Sequence, residues 1–239
     1  MQSKNISISL VIPILNEEKN INILTNKITK SLKKIKHEII FVDDNSDDNS
    51  KEILKILKRK KKNFKPIFRI NKKRDLTQSC FEGIVKSKYE NILIMDGDLQ
   101  HDPKYIPKML DLKQSKSFDI VVGARKLING PNQGLSETRR LASIILIKLF
   151  QIFNIKTSDP MSGFFLFNKK VYKNNKKRYF GKGFKILSDI LINSEEKLRV
   201  KDIYINFKRR YESTSKMNYK ILLILIHFYV VSLFKKLLF

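Results

Sequence analysis

Short apolar runs alternate with stretches of helical spacing through the first half of this chain. The strand-like runs are Ile6–Ile12, Glu38–Val42, Pro66–Ile70, Ile92–Met95 and Asp119–Gly123. Helical spacing lies between these runs at Glu17–Ile35, Leu76–Lys86 and Pro103–Leu112. A further helix, which Asp47 or Ser50 could cap, is predicted to run through Leu57. This alternation is typical of parallel strands joined by helices. It predicts an α/β fold with a mixed, mostly parallel sheet and helices on both faces.

The order of elements changes after residue 125. The sequence indicates, in order, a loop at Lys126–Glu137, a helix at Thr138–Phe153, a turn at Asp159–Gly163 entering a strand at Phe164–Phe167, a helix at Gly183–Asn193, a strand at Asp202–Phe207 and a basic loop at Lys208–Lys216. The sequence contains neither an internal repeat nor a Pro/Gly/Ser-rich linker. We therefore expect one domain over residues 1–217.

The remaining residues, 218–239, are predicted to form a separate apolar helix at Tyr219–Phe239. Its apolar run Ile221–Phe234 is 14 residues long and precedes two lysines. A membrane span needs roughly 20 residues, so a helix lying in a membrane interface fits better. A buried core helix and a helix that docks on a partner are the alternatives.

Polar side chains follow three of the predicted strands. Asn16 and Glu17 follow the first, Asp43 and Asp44 the second, and Asp96-Gly-Asp98-Leu-Gln100 the run Ile92–Met95. Ligands of parallel sheets bind at the carboxyl ends of the strands, so these segments are predicted to form one site.

In an extended chain, Asp96, Asp98 and Gln100 would point to one side. Two carboxylates and an amide oxygen suit Mg²⁺ or Mn²⁺, which could hold the diphosphate of a nucleotide-linked substrate. An acidic turn at the end of a strand is the alternative, because Asp-Gly is common in turns.

The net charge of +26 predicts attraction to an anionic partner, such as nucleic acid, a membrane surface or a phosphorylated substrate. Lysine is abundant along the whole chain, so the charge also fits a compositional bias. A nucleic-acid-binding protein is the alternative class, but acidic strand ends would repel a phosphate backbone and no recognised nucleic-acid module is visible, so no nucleic-acid partner is expected. The single cysteine, Cys80, excludes an internal disulfide and is expected to be a buried apolar residue.

Seven segments together resemble the inverting glycosyltransferases of the GT-A fold, specifically those that make dolichol- or polyprenyl-phosphate sugars, such as the dolichol-phosphate mannosyltransferases. They are Val11–Glu17, Phe41–Ser46, Met95–Pro103, Val121–Arg125, Asp159–Phe165, Gly183–Leu187 and Phe207–Arg210 with Ser215-Lys216. The last motif departs from the family at Ser213, where glycine is usual. Leu15 stands where the family usually has Tyr or Phe, and Asp189 is the nearest candidate for its usual Glu.

The resemblance implies transfer of a hexose from a nucleotide sugar to a polyprenyl or dolichyl phosphate, with inversion and with Mg²⁺ or Mn²⁺ as cofactor. GDP-mannose is the first donor candidate and UDP-glucose the second, and transfer to a glycan hydroxyl is the alternative reaction. A peripheral position on the cytoplasmic face of a membrane, with shallow anchoring by the last helix, is expected. A small membrane protein is a further candidate partner.

The resemblance also implies residue roles. The catalytic candidates are Asp98, Asp159, Arg125 and Arg210. Those for the nucleotide sugar are Pro13, Asn16, Glu17, Asp43, Asp44 and Asp96, and those for the metal are Asp96, Asp98 and Gln100. Those for the acceptor phosphate are Arg125, Arg139, Arg210, Ser215 and Lys216. Asp159 would position the acceptor or act as a base, and a turn-capping role before Pro160 is the alternative.

Overall fold

The computed structural model describes residues 6–126, 147–148, 152–153, 155–183, 185–208 and 219–238, with side chains of the last helix described from 226 to 235. Most of the predicted loop Lys126–Glu137 and of the helix Thr138–Phe153 lies outside the described residues. Four of the predicted phosphate-binding residues also lie outside them: Arg139, Arg210, Ser215 and Lys216.

Strands and helices alternate through the described residues as the sequence pattern predicts. The strands are β1 (Ser7–Ile14), β2 (Lys36–Asp43), β3 (Phe64–Phe68), β4 (Asn91–Ile94), β5 (Ile120–Arg125), β6 (Phe165–Asn168) and β7 (Val200–Ile205). The helices are α1 (Glu18–Ser31), α2 (Ser50–Lys60), α3 (Leu76–Lys86), α4 (Ile106–Ser115, preceded by a 3-10 turn at Pro103–Tyr105), α5 (Lys169–Asn175), α6 (Ile186–Asn193) and α7 (Tyr219–Leu238).

The seven strands form one sheet in the order β3-β2-β1-β4-β6-β5-β7. Only β6 runs antiparallel to its neighbours, β4 and β5. The pairs β1–β2, β1–β4, β2–β3 and β5–β7 are parallel. The mixed, mostly parallel sheet is therefore confirmed. Because β1, β2, β4 and β5 all point the same way, their carboxyl ends lie at one edge of the sheet.

The alternation of side chains along β1 explains why the sheet carries helices on both faces. Leu10 and Ile12 belong to one apolar cluster, which also includes residues of α1, α2 and α4. Val11 belongs to a second cluster with residues of α3, α5 and α6. Cys80 is in this second cluster, fully buried as predicted. Gly83 of α3 faces Val11 so closely that a Cβ there would overlap the valine side chain, so α3 packs directly on the sheet.

Several element boundaries differ from the sequence expectation. Helix α1 ends at Ser31, and Ile35 instead belongs to a turn in which its N–H donates to the Leu32 carbonyl at 2.9 Å. Strand β3 lies two residues earlier than predicted. Helix α5 was not predicted at all. It begins after Asn168, whose side chain accepts from the Lys170 N–H at 2.9 Å and so caps the first turn.

A helix is present at the end of the chain, as predicted, over Tyr219–Leu238. One side of it packs on the domain, where Phe228 and Ser232 are buried and the ring of Phe228 lies 5.4 Å from that of Phe180. No helix in the described part of the chain is long and apolar enough to cross a membrane. The interfacial position and a domain boundary at residue 217 stay predictions.

Candidate active site

The ends of β1 and β2 are tied together by side chains that the sequence analysis placed in the nucleotide site. Asn16 has a left-handed backbone (φ 56°), its N–H donates to Ser46 Oγ at 2.9 Å, and its Oδ1 accepts from the Asp47 N–H at 2.8 Å. Glu17 is buried at the start of α1, where its N–H donates to Ser50 Oγ at 3.2 Å. Pro13 is buried within β1, opposite Val42 of β2. These contacts bring Pro13, Asn16 and Glu17 to the edge where β2 ends.

Asp43 and Asp44 at the end of β2 are both buried but have different partners. Asp43 accepts from the Ser46 N–H at 3.3 Å, which closes a turn of the kind that aspartate side chains commonly form. Asp44 accepts from the Arg69 guanidinium and from the Asp75 N–H, the latter at 2.6 Å. Burial raises the pKa of Asp44, although Arg69 and the N–H of Asp75 act against this.

Arg69 is a site-edge residue that the sequence analysis missed. It is 4% exposed, and its Nε donates to Glu82 at 2.9 Å. Its NH1 also donates to the Asp75 carbonyl at 3.2 Å and to Ser79 Oγ at 3.1 Å, in addition to Asp44. Arg69 directly follows β3, but it lay inside the predicted strand Pro66–Ile70, so the rule about strand ends did not point to it.

The segment Asp96–Gln100, which follows β4, has a different backbone conformation from the predicted one. The prediction assumed an extended chain through Gln100, but β4 ends at Ile94 and Leu99 has a left-handed backbone (φ 64°). The extended geometry is therefore wrong. A turn holds the segment instead, since Asp98 accepts from the Gln100 N–H at 3.1 Å. Gln100 Nε2 in turn donates to the Lys208 carbonyl at 2.8 Å, which fixes the amide and draws the C-terminal segment to this turn.

The donors in this turn fit a hard divalent cation. Asp98 and Gln100 are buried and Asp96 is partly exposed, so two carboxylates and an amide oxygen lie in one short segment. Gly163 lies against Asp96, where a Cβ would overlap the carboxylate. Among the described residues, no three His, Cys, Asp or Glu side chains are gathered into a metal-binding group. A metal here would therefore depend on the Gln100 oxygen as well as on the two aspartates.

His101 closes the inner side of this turn. Its ring stacks on Phe164 at a centroid distance of 5.2 Å, and its Nδ1 lies 3.7 Å from Asp96 Oδ2. Nδ1 is buried and has no hydrogen-bond partner among the described residues. Burial lowers the pKa of His101 to about 4. The ring is thus neutral at neutral pH.

Arg125 and Asp159 form a paired charge at the end of β5. Arg125 Nε and NH2 donate to the two carboxylate oxygens at 2.7 and 2.8 Å, and the Arg125 N–H donates to Oδ2 at 3.1 Å. Asp159 is fully buried. Burial alone would raise its pKa, but the charge and hydrogen bonds of Arg125 hold it below the usual range. The guanidinium carbon also lies 5.4 Å from the ring centre of Phe207, so one face of Arg125 is covered.

The segment before α6 brings a second cation to this region. Lys185 directly precedes α6, and its charge interacts with those of Arg125, Asp159 and Asp96. Burial and the nearby Arg125 lower the pKa of Lys185 to about 8. Asp189, the nearest candidate for the Glu that is usual in the family, is buried. It accepts from the Phe180 and Gly181 N–H groups at 2.9 and 2.8 Å. Asp189 therefore holds the loop that carries Lys185.

The geometry thus gathers the predicted residues of four strand ends at one edge: Pro13, Asn16, Glu17, Asp43, Asp44, Asp96, Asp98, Gln100, Arg125 and Asp159. Arg139, Arg210, Ser215 and Lys216 lie outside the described residues, so their roles stay predictions. The segment Gly183–Leu187 is one of those that resemble the family, but no role for Lys185 follows from the sequence.

Comparison with known families identifies the class of protein. Residues 9–175 match the family described as Glycosyl transferase family 2. The chain belongs to glycosyl transferase family 2. It is therefore a glycosyltransferase, as the sequence resemblance implied.

Two curated relatives share the name dolichol-phosphate mannosyltransferase. The chain is 32% identical to that of Pyrococcus furiosus over 218 residues, covering 89% of this chain and 60% of the relative. It is 30% identical to that of Saccharomyces cerevisiae over 231 residues, covering 92% of this chain and 84% of the relative. The chain thus spans less than two thirds of the archaeal relative and most of the yeast one.

The fold also matches a solved structure, that of glucosyl-3-phosphoglycerate synthase from Mycobacterium tuberculosis. The complex of that protein with Mn²⁺, UDP and glucosyl-3-phosphoglycerate superposes with a TM-score of 0.69 and 17% identity, covering 96% of this chain and 79% of the other. At this identity the likeness concerns the fold alone.

Proposed function

We propose that this family 2 glycosyltransferase transfers a hexose from a nucleoside-diphosphate sugar to the phosphate of a polyprenyl or dolichyl lipid, with inversion. The observation that carries the proposal is the position of Arg125, a cation held by Asp159 at the same edge as the acidic turn Asp96–Gln100. The names of the relatives support a lipid phosphate as acceptor and mannose as the sugar, and GDP-mannose is the first donor to test.

In the proposed reaction, an oxygen of the lipid phosphate attacks the anomeric carbon while the bond from that carbon to the nucleoside diphosphate breaks. The bond to the lipid forms on the opposite face of the sugar, and the nucleoside diphosphate leaves with the electron pair. Because a phosphate is already ionised at neutral pH, the attack needs no strong base.

The chain's residues take the following roles in this proposal. Pro13, Asn16, Glu17, Asp43 and Asp44 shape the nucleotide pocket. Asp96, Asp98 and Gln100 would hold Mg²⁺ or Mn²⁺, which when bound neutralises charge on the diphosphate. The mycobacterial synthase, whose structures contain Mn²⁺, supports testing that metal first.

Asp159 serves in this proposal to hold Arg125 rather than as a base. Both of its oxygens accept from Arg125, and its lowered pKa makes it a weak proton acceptor. Arg125 would then meet the acceptor phosphate as an oriented guanidinium, which suits paired hydrogen bonds to phosphate oxygens. Arg139, Arg210, Ser215 and Lys216 remain candidates for the same phosphate by family position.

The decisive experiment is transfer from a panel of labelled nucleotide sugars to a short polyprenyl phosphate, with Mn²⁺ or Mg²⁺. We expect a lipid-extractable product from one donor, lost with EDTA and reduced about 100-fold or more in Asp98→Asn. Donor hydrolysis without a lipid product would overturn the acceptor assignment and point to a glycan hydroxyl. A lipid product that persists in EDTA would overturn the metal site.

We further propose that α7 lies on the membrane that holds the lipid substrate, on its cytoplasmic face. Ile226, Val230 and Phe234 recur every four residues and are 50%, 40% and 61% exposed, while Phe228 and Ser232 face the domain. Spacing of four residues places the three exposed side chains on one strip. With Lys235 beside it, this strip has the pattern of a helix lying in a membrane interface.

Flotation with vesicles, with and without anionic lipid, tests this position. Replacing Ile226, Val230 and Phe234 by serine should abolish vesicle binding while leaving the protein folded. Ile70→Ser is the matched control, because Ile70 is 58% exposed and lies outside α7. Equal flotation of the triple variant and the control would contradict the proposal. Loss of a co-purifying small membrane protein instead of vesicle binding would show that the strip docks on that partner.

A further inference from the structure

Asp75 joins two parts of the site that are far apart in the sequence. Its N–H donates to Asp44, at the end of β2, at 2.6 Å. One carboxylate oxygen accepts from the Gln78 N–H at 3.0 Å, which caps α3. The other accepts from the Gly183 N–H at 2.8 Å, 108 residues further along the chain. A single residue thus contacts both the nucleotide side of the site and the loop that precedes α6.

The loop before α6 is bound at Gly183 through both of its backbone groups. Asp75 accepts from the N–H, and the carbonyl accepts from the N–H and the hydroxyl of Thr77 at 3.0 and 2.9 Å. The Gln78 amide also donates to the Gly181 carbonyl. Gly183 is buried, so these partners satisfy backbone groups that are removed from water. The start of α3 therefore fixes the position of this loop.

Helix α6 continues the connection to the paired charge at the end of β5. Ser188 of α6 is fully buried, and its hydroxyl donates to the Pro160 carbonyl at 2.7 Å. Pro160 directly follows Asp159, whose carboxylate accepts two hydrogen bonds from the Arg125 guanidinium. The placement of α6 therefore bears on where the guanidinium stands relative to the residues at the end of β2.

A second helix cap shows what a purely local role looks like. Asn168 caps α5 by accepting from the Lys170 N–H at 2.9 Å. It pairs with Asn91 at the start of β4 and so lies at the opposite edge of the sheet. Asp75 makes the same kind of local hydrogen bond with one oxygen and uses its other oxygen for a contact across the domain.

We propose that Asp75 is a positioning residue: through Gly183 and α6, it holds Arg125 in register with the nucleotide pocket for transfer to the acceptor phosphate. This inference rests on the proposed function, because it assigns Arg125 to the acceptor. A displacement of about 1 Å in a group that orients a substrate can slow a reaction by about 100-fold. Loss of the contact to Gly183 should therefore impair use of the acceptor more than binding of the nucleotide.

The main test variant is Asp75→Ser. Serine is a good N-cap, so α3 keeps its cap, but its single, shorter side-chain oxygen cannot also reach Gly183. The backbone N–H that donates to Asp44 remains. Thr77→Val is a second variant, which removes one of the two hydrogen bonds to the Gly183 carbonyl. Asn168→Ala is the matched control, because it removes a local cap away from the site.

Two measurements separate the donor side from the acceptor side. One is calorimetric binding of GDP and of UDP with Mn²⁺ and no acceptor. The other is transfer at varied polyprenyl phosphate and saturating donor. Urea unfolding establishes that each variant is folded, and Asp75→Asn replaces the serine variant if that one is not.

In Asp75→Ser, the Kd for the nucleotide should stay within about twofold of wild type, while kcat/KM for the lipid falls by about 10- to 100-fold. Thr77→Val should show the same pattern with a smaller loss. The proposal fails if nucleotide binding weakens as much as transfer does, or if Asp75→Ser matches Asn168→Ala in both measurements.

A wild-type protein that forms no lipid product with any donor would overturn the proposed function but not yet the role of Asp75. A double-mutant cycle of urea unfolding between Asp75→Ser and Asp159→Asn then decides. Non-additive losses would support a connection from Asp75 to the Asp159 turn. Additive losses would show that Asp75 holds only its own loop, and would overturn the inference.

Discussion

Two buried aspartate–arginine pairs lie at the same edge of the sheet and hold their charges in opposite ways. At the end of β5, Arg125 directs two guanidinium hydrogen bonds to Asp159 alone. At the end of β2, Arg69 divides its hydrogen bonds among Asp44 and three further acceptors. The pKa of Asp159 is lowered, whereas burial raises that of Asp44 despite its arginine. Burial beside an arginine thus does not by itself decide the charge of an aspartate.

The number of partners explains the difference. A paired fork concentrates the attraction of the guanidinium on one carboxylate, so it outweighs the cost of burial. Asp75 also contributes a second negative charge near Asp44, which raises its pKa further. The first arrangement fixes the orientation of one cation at the active site. The second links β2, β3 and α3.

The largest expected effect is on stability. Asp159→Ala should lower the free energy of unfolding by about 3–5 kcal/mol, because it leaves Arg125 buried without its counter-charge. Asp44→Ala should cost only about 2 kcal/mol, because Arg69 keeps Glu82. Urea unfolding of the two variants beside the wild type measures both values. Equal losses would show that the two pairs are equivalent and would break the comparison.

The next effect separates the pairs by activity. Arg125→Lys should reduce formation of the lipid product by about 10- to 100-fold, because lysine cannot form the paired hydrogen bonds of the guanidinium. Arg69→Lys, the matched control, should change stability more than turnover. Kinetics at saturating donor, with unfolding curves for both proteins, test this. A greater loss of turnover in Arg69→Lys would place the shared network in the reaction instead.

At acid pH, Asp159 and Asp44 should change the pH dependence of the free energy of unfolding in opposite directions. Asp159 has a folded pKa below its ordinary 3.8, so it contributes stability above that pH and loses it as the pH falls through the folded value. Asp44 has a folded pKa above 3.8, so its stabilising effect is present below 3.8 and lost as the pH rises through the folded value.

As the pH falls from about 6 to about 3, the free energy of unfolding should therefore decrease less in Asp159→Asn than in the wild type. Asp44→Asn should make the loss steeper. Urea unfolding at intervals over this range gives the slopes. Changes of the same sign in both variants would contradict the opposite pKa shifts.

The same contrast shows what the sequence can predict. Strand ends are local features, so the rule of ligand binding at carboxyl ends found Asn16, Asp43 and Asp98 without a structure. The Asp43–Ser46 turn was also predictable, because both partners lie three residues apart. The alternation of apolar runs likewise predicted the sheet and the helices on both of its faces.

Features that depend on distant partners were not predictable. The backbone of the segment Asp96–Gln100 bends at Leu99 and is held from Lys208, more than a hundred residues away, so local alternation gave the wrong geometry. Arg69 becomes a buried residue only because β3 lies beside β2. Lys185 reaches the site through a loop fixed by Asp75 and Thr77, a contact that no local pattern records.

The smallest expected effect tests whether the charge of Arg69 is truly shared. Glu82→Gln should cost about 0.5–1 kcal/mol, because Glu82 is partly exposed and Arg69 retains Asp44. Glu52→Gln is the control, since Glu52 pairs with Lys55 on an exposed helix surface and should cost less.

In an Asp44→Ala background, Glu82→Gln should lower the free energy of unfolding by more than it does alone. Arg69 pairs with the carboxylates of Asp44 and Glu82, so the second substitution removes the last of the two. Coupling of this kind is expected where two residues share one partner. Additive effects in the double-mutant cycle would mean that Arg69 serves Asp44 and Glu82 independently. The two arginines would then differ only in the number of their neighbours, and the raised pKa of Asp44 would have to come from burial and Asp75 alone.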